Sequence, residues 1–180
     1  MANLLTNPGV LTIDSVGVIK LGPVWVKALE FVPALKGDSV SLVSWDLTTA
    51  TGESVAPAAT ISATGGTITA TGGAHFPSTW AVGDLADIIQ TTGLATNMGK
   101  KIITTAGNNT VFKVPYNSWT NEASKAYHVN HYTHYDALEI KAPVSATGPS
   151  QGRVFGDPGI RFESLGVAAI SANCKLYLYI

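Results

Sequence analysis

The sequence predicts an all-β protein built from two modules: its two ends form one discontinuous domain, and its middle forms a second domain inserted between them. Three observations predict the all-β class. No window of about eleven residues places apolar side chains at i, i+3, i+4 and i+7, so amphipathic helices are not expected. Short runs rich in β-branched and aromatic residues recur instead, each broken by Gly, Pro or Asn. The final run, Cys174-Lys175-Leu176-Tyr177-Leu178-Tyr179-Ile180, alternates, with Leu176, Leu178 and Ile180 on one face and Tyr177 and Tyr179 on the other.

The elements follow in chain order. Residues 16–21 read as a strand that Gly22-Pro23 breaks. Residues 24–32 are apolar on both faces apart from Lys27 and Glu30, the pattern of a strand covered on both sides. Pro33 ends it, and 39–45 is the expected hairpin partner through Lys36-Gly37-Asp38. Residues 46–59 are small and polar and read as a linker. A short repeat follows: Thr60-Ile61-Ser62-Ala63-Thr64-Gly65-Gly66, then Thr67-Ile68-Thr69-Ala70-Thr71-Gly72-Gly73. Gly-Gly supplies the positive φ of a tight turn, so two strands joined at Gly65-Gly66 are expected. Strands are expected at 86–91, 100–106 and 110–115, with the turn of a hairpin at Gly107-Asn108-Asn109. Residues 118–124 read as a loop, 126–135 as a long polar-aromatic strand, 137–142 as the return to the first domain, and 144–157 as a surface arm. Strands at 160–165 and 174–180 close the chain. The expected domains are 1–46 with 137–180, and 58–135.

A chain of 180 residues is long enough to bury roughly 70% of its unfolded surface without disulfides. Charged residues are 13% of it, against about 25% in an average soluble protein. With a net charge of −1, the electrostatic footprint of a nucleic-acid binder is missing. Low charge with abundant Ala, Thr, Gly and Val suits a surface largely covered by neighbours in an assembly. The single cysteine, Cys174, makes neither an intrachain disulfide nor a zinc cluster. The opening residues have no basic segment followed by an apolar core, and no apolar run approaches the ~20 residues that span a bilayer. Neither a secretion leader nor a membrane association is therefore expected.

The motifs that suggest chemistry each lack their context. Gly148-Pro149-Ser150-Gln151-Gly152 has the spacing of a nucleophile elbow, but that elbow needs a strand before it and a helix after it. Gly93-Leu94-Ala95-Thr96-Asn97-Met98-Gly99-Lys100-Lys101 looks like a phosphate loop with one residue too many, and a strand follows where the phosphate cradle needs a helix. Asn108-Asn109-Thr110 is a glycosylation sequon that means nothing without secretion. On a continuous strand His128 and His134 stand roughly 20 Å apart, too far for one metal ion. The segment 127–136 reads instead as a polar-aromatic interface strand. Glu30, Asp84, Asp87, Glu139, Asp157 and Glu163 show no pairing that suggests acid–base work. Trp25 and Trp45 are expected in the core, while Trp80 and Trp119 are candidates for a sugar-stacking platform. No catalytic residue, cofactor or metal is expected.

The terminal blocks resemble small virion proteins of tailed bacteriophages. The resemblance lies in Gly17-Val18-Ile19 with Val24-Trp25-Val26-Lys27-Ala28-Leu29-Glu30-Phe31 and Trp45-Asp46. It continues in Ile160-Arg161-Phe162-Glu163-Ser164-Leu165 and the final strand. The insert is similar to a β-barrel module of phage structural proteins, on the 60–71 repeat, Phe76, Trp80-Ala81-Val82-Gly83-Asp84, Asn97-Met98-Gly99 and Thr110-Val111-Phe112-Lys113-Val114. The resemblance implies an antiparallel β-sandwich at the ends and a small β-barrel in the insert.

It also implies a role: a non-catalytic capsid decoration (cement) protein that binds the major capsid protein on the virion exterior and stabilises the capsid. Such a protein is assembled in the bacterial host cytoplasm as a homo-oligomer, a trimer or dimer. A head–tail junction, collar or tail protein, or a carbohydrate-binding host-adhesion module, are the alternatives. The contact residues expected are Trp25, Lys27, Leu29, Phe31, Tyr127, Tyr132, Tyr177 and Tyr179, with flexible arms at 1–15 and 144–159 that order on neighbours.

Overall fold

The computed structural model describes residues 4–7, 9–62, 66–70, 76–77, 79–90, 92, 94–106, 110–115, 119–144 and 150–180. The turn expected at Gly107-Asn108-Asn109, the second Gly-Gly of the repeat and Gly148-Pro149 of the serine motif lie outside them. The chain is all-β, as the sequence predicts.

It opens with β1 (Leu4–Asn7), β2 (Val10–Ile13), β3 (Gly17–Lys20), β4 (Val24–Val26), β5 (Ala28–Val32) and β6 (Ser39–Trp45). The middle holds β7 (Gly52–Ser62), β8 (Thr67–Ala70), β9 (Leu85–Gln90), β10 (Gly99–Ile102), β11 (Val111–Lys113) and β12 (Glu122–Tyr132), with one 3-10 turn at Ala95–Asn97. β13 (His134–Lys141), β14 (Gln151–Val154), β15 (Ile160–Phe162), β16 (Leu165–Ile170) and β17 (Lys175–Tyr179) close it. The strands gather into two compact units: Met1–Ser44 with Tyr135–Ile180, and Trp45–His134.

The first unit is sandwich-like. One sheet runs β1-β2-β17-β5-β14 and a second runs β13-β6-β16-β3, while β4 and β15 form a two-stranded ribbon. Strand alternation fixes which side chains enter. Register sets Leu176 beside Ile13 and Phe31, and Leu178 beside Leu11 and Leu29, so these rows face inward. Val40, Leu42, Ile140, Leu165 and Val167 of the second sheet complete the same core. A one-residue slip of β17 would turn Leu176 and Leu178, both fully buried, toward water. Each such side chain gains about 1.5–3 kcal/mol from burial, so the register is strongly specified.

Several expectations for this unit are corrected. Residues 24–32 are two strands, because Lys27 leaves the ladder: its N–H bonds Tyr179 O at 2.7 Å and its carbonyl accepts from Phe155 N. The segment 39–45 is not the hairpin partner of β5 but crosses to the other sheet. Asp38 makes that crossing tight, accepting from the N–H groups of Ala34 and Leu35 at 3.0 and 2.5 Å. The strand expected at 160–165 ends at Phe162, and a further strand begins at Leu165. β15 pairs with β4, β16 lies between β6 and β3, and β17 lies between β2 and β5. Within the arms expected at 1–15 and 144–159, β2 pairs with β17 and β14 pairs with β5.

The second unit is a single antiparallel sheet, β10-β9-β12-β7-β8-β11, wrapped around Ile61, Ile68, Phe76, Trp80, Phe112, Trp119 and Val129. It does not close into a barrel. Among the described residues its two edges meet just beyond β10, where Thr104 N bonds Lys113 O and Lys113 N bonds Thr105 O. The repeat forms the expected hairpin, with Ile61 opposite Ile68 and both buried. Glycine is required at Gly66, where φ is +59° and a Cβ would stand 2.2 Å from Val114 O. The expected linker 46–59 is largely strand: β7 begins at Gly52 and pairs along β12. β12 in turn begins inside the expected loop 118–124, and the long strand expected at 126–135 breaks at Thr133.

Candidate functional site

The densest polar constellation is in the second unit, around Asp84. The carboxylate is 1% exposed and accepts four hydrogen bonds. Oδ2 takes Ala81 N–H and His131 Nε2, each at 2.7 Å. Oδ1 takes the His134 N–H at 3.0 Å and His134 Nδ1 at 2.7 Å. Burial alone pushes the Asp84 pKa up, but the bonds from His131, Ala81 and His134 outweigh it and hold the pKa at about 2. The carboxylate is therefore ionised, and each imidazole donates one N–H to it.

Local sequence explains the geometry. The Ala81–Asp84 turn closes with Asp84 N bonding Ala81 O, and Gly83 sits at φ +99°. A Cβ at Gly83 would lie 3.3 Å from the His134 ring. His131 ends the inward row of β12 and stacks on Trp80, 4.8 Å between centroids at 3°. His134 opens β13. His131 Nδ1 stands 3.1 Å from the Thr51 hydroxyl, which also donates to the His131 carbonyl at 3.1 Å. Trp45 Nε1 donates to Gly83 O at 2.9 Å. The turn thus grips Trp45 and His134, the first and last residues of the unit.

Thr51, His131 and Asp84 form a hydroxyl–imidazole–carboxylate series, the order used in nucleophilic catalysis. The surroundings give it a structural character. Thr51 Oγ1 also accepts from Thr133 N at 2.9 Å and touches Thr133 Oγ1 at 3.0 Å, so its lone pairs are engaged. The carboxylate is shared with a second imidazole. The arrangement ties the start of β7, the end of β12 and the 80–84 turn together. Among the described residues no group of three His, Cys, Asp or Glu side chains is placed to hold a metal ion. No helix among them is long and apolar enough to cross a membrane.

The sequence lists Asp84 among unpaired carboxylates because its partners stand 47 and 50 residues away. The His-x-x-His spacing at 131 and 134 is the one local signal that was available. A second buried network was equally hidden. Glu122 Oε2 accepts from Tyr127 OH, Asn97 Nδ2 and Leu94 N, and Asn97 is fully buried. Burial and this carboxylate both push the Tyr127 hydroxyl pKa up.

The expected contact residues divide sharply. Leu29, Phe31 and Tyr127 are at most 2% exposed and Tyr132 is 8% exposed, so these four pack inside their own units and are not contact surface. The cause is alternation: each lies on the inward row of its strand, apart from Tyr132, which Lys100 covers at 5.8 Å. Trp25, Lys27 and Tyr179 are exposed and Tyr177 is half-buried. On the outer face of the five-stranded sheet, Tyr179 stands between Val10 and Ala28, with Val154 beside Ala28. Trp45 is in the core as expected. Trp80 and Trp119, the sugar-platform candidates, are each 5% exposed and pack edge-on against Phe112. Trp25, expected in the core, is the tryptophan that reaches solvent, at 44% exposure.

No protein-family model, curated protein or solved structure matches the chain.

Proposed function

We propose that this chain is a capsid decoration protein of a tailed bacteriophage, a non-catalytic cement that binds the major capsid protein and stabilises the assembled shell. The observation that carries the reading is where the apolar surface lies. Among the described residues, ten of the fourteen exposed large apolar side chains belong to the first unit, including Val154 at 84%, Val144 at 71% and Leu35 at 67%. This excess of exposed apolar side chains favours the first unit over the second as the contact-bearing one. Shallow contacts of this kind become strong by repetition, since each copy on a closed shell adds to the avidity of its neighbours. Binding the assembled form and not the free subunit stabilises the shell by mass action.

The adhesion alternative loses support because Trp80 and Trp119 are enclosed in the core. A head–tail junction, collar or tail location uses the same contact surface and differs in stoichiometry. The test is copy number in purified virions, by quantitative mass spectrometry against the major capsid protein. A ratio near one per capsid subunit supports shell-wide decoration. A handful of copies per virion refutes it and places the protein at a vertex, neck or tail.

A further inference from the structure

We infer that the first unit carries a strand-addition site, where an extended apolar segment of a partner protein, bearing an acidic side chain, lies beside β3 and pairs with its backbone. Three observations define the occupant.

The first is the edge. β3 is the terminal strand of its sheet and its ladder is to β16. Among the described residues nothing pairs with its other side. A row of N–H and C=O groups along a strand edge is complemented by another extended strand. A helix has its own backbone groups already bonded, and a glycan lacks the spacing.

The second is the cleft at that edge. It has a volume of about 470 Å³ and is lined by Ile19 and Lys20 of β3 together with Leu11, Val24, Trp25 and Ile180. Trp25 is 44% and Ile180 37% exposed, so large apolar surface is left open to water beside a strand edge. An added strand points alternate side chains to one face, and apolar residues at those positions fill this cleft.

The third is charge. Lys20 is exposed, carries the one charged side chain of the lining, and makes no ion pair with an Asp or Glu side chain among the described residues. It complements an Asp or Glu on the incoming strand. A lysine on a four-residue edge also discourages indiscriminate pairing. A second copy pairing its own β3, Gly17-Val18-Ile19-Lys20, brings another lysine and no acid within that strand.

The inference does not depend on which assembly the chain joins. The test is selection from a displayed library of random short peptides on the immobilised full chain. The strongest binder is then synthesised with a fluorophore and titrated by anisotropy. Selected peptides are expected to alternate apolar residues and to carry Asp or Glu. Lys20→Glu, at an exposed site, is expected to weaken that peptide about tenfold and to select basic peptides in its place. Lys36→Glu, outside the cleft, leaves the affinity unchanged. Hydrogen exchange at the amides of 17–20 slows in the complex. The inference is overturned if no peptide binds, if the winners lack alternation or acid, if Lys20→Glu binds equally well, or if the 17–20 amides exchange unchanged. None of these outcomes bears on copy number in virions, so the two proposals fail separately.

Discussion

Replacing Asp84 by Asn tests whether the buried carboxylate holds the second unit together. The amide keeps an oxygen for His134, but its NH2 group now faces the Ala81 N–H, leaving that donor unsatisfied. His131 must also change tautomer to accept from the amide. An unsatisfied buried backbone donor costs about 1–3 kcal/mol, and charge-assisted bonds to two imidazoles are lost as well. The expected destabilisation at pH 7 is about 2–4 kcal/mol.

The pH dependence makes the test sharper. The folded pKa of Asp84, about 2, lies below its ordinary value of 3.8. The folded state therefore binds fewer protons in that window, and stability rises with pH through it. The difference is worth about 2 kcal/mol, fully present above pH 4 and lost as pH falls through 2. Roughly half is gone at pH 3. Other carboxylates titrate equally in wild type and variant, so the gap between the two isolates Asp84. Urea unfolding followed by tryptophan fluorescence suits the measurement, since Trp45, Trp80 and Trp119 all lie in this unit. A variant within about 0.5 kcal/mol of wild type at pH 7, or a gap that stays constant down to pH 3, refutes the reasoning.

Three further outcomes are expected. Gly159→Ala should cost at least about 2 kcal/mol in thermal denaturation, because φ is +96° there and the new Cβ would lie 2.5 Å from Val26 O; Gly22→Ala, with open space around it, should cost less. Trp80→Ala should destabilise by about 3–5 kcal/mol through loss of core packing, whereas Trp25→Ala should stay within about 0.5 kcal/mol, both read by urea titration. Burial pushes the Cys174 thiol pKa up and encloses the sulfur, so a colourless disulfide reagent that releases a chromophore should react with it only after unfolding.

The all-β class was legible because helical periodicity is missing over the whole length and β17 alternates cleanly. The repeat was legible as a hairpin because Gly65-Gly66 separates two short runs rich in Thr and Ile. Which strand pairs with which was not legible. β6 reads as a natural hairpin partner of β5, yet it enters the other sheet, and short-range pattern carries no information about that choice. The polar 46–59 segment looked like a linker because small residues dominate it, but β7 gains its backbone partners from β12, over seventy residues away at Gly52–His131. The contact residues were chosen for aromatic and apolar character, which interfaces and cores share. Alternation separates the two only when the buried face is known, and this is why Phe31 and Leu29 were grouped with Trp25. The Asp84 network was invisible for a related reason: its three side chains meet only after β9 and β12 have paired.

The place of β17 sets an order of events at the ribosome. β5 presents Leu29 and Phe31 early, but the strand that covers its flank emerges only after all of residues 45–134 have been made. Translation at about 5–20 residues per second leaves that flank unmatched for roughly 7–30 seconds. The continuous middle unit, by contrast, has its complete set of strands before β17 is made. The nascent chain therefore carries all the strands of the insert between two sheet fragments that still lack β17, and those fragments stay open to other chains until it emerges.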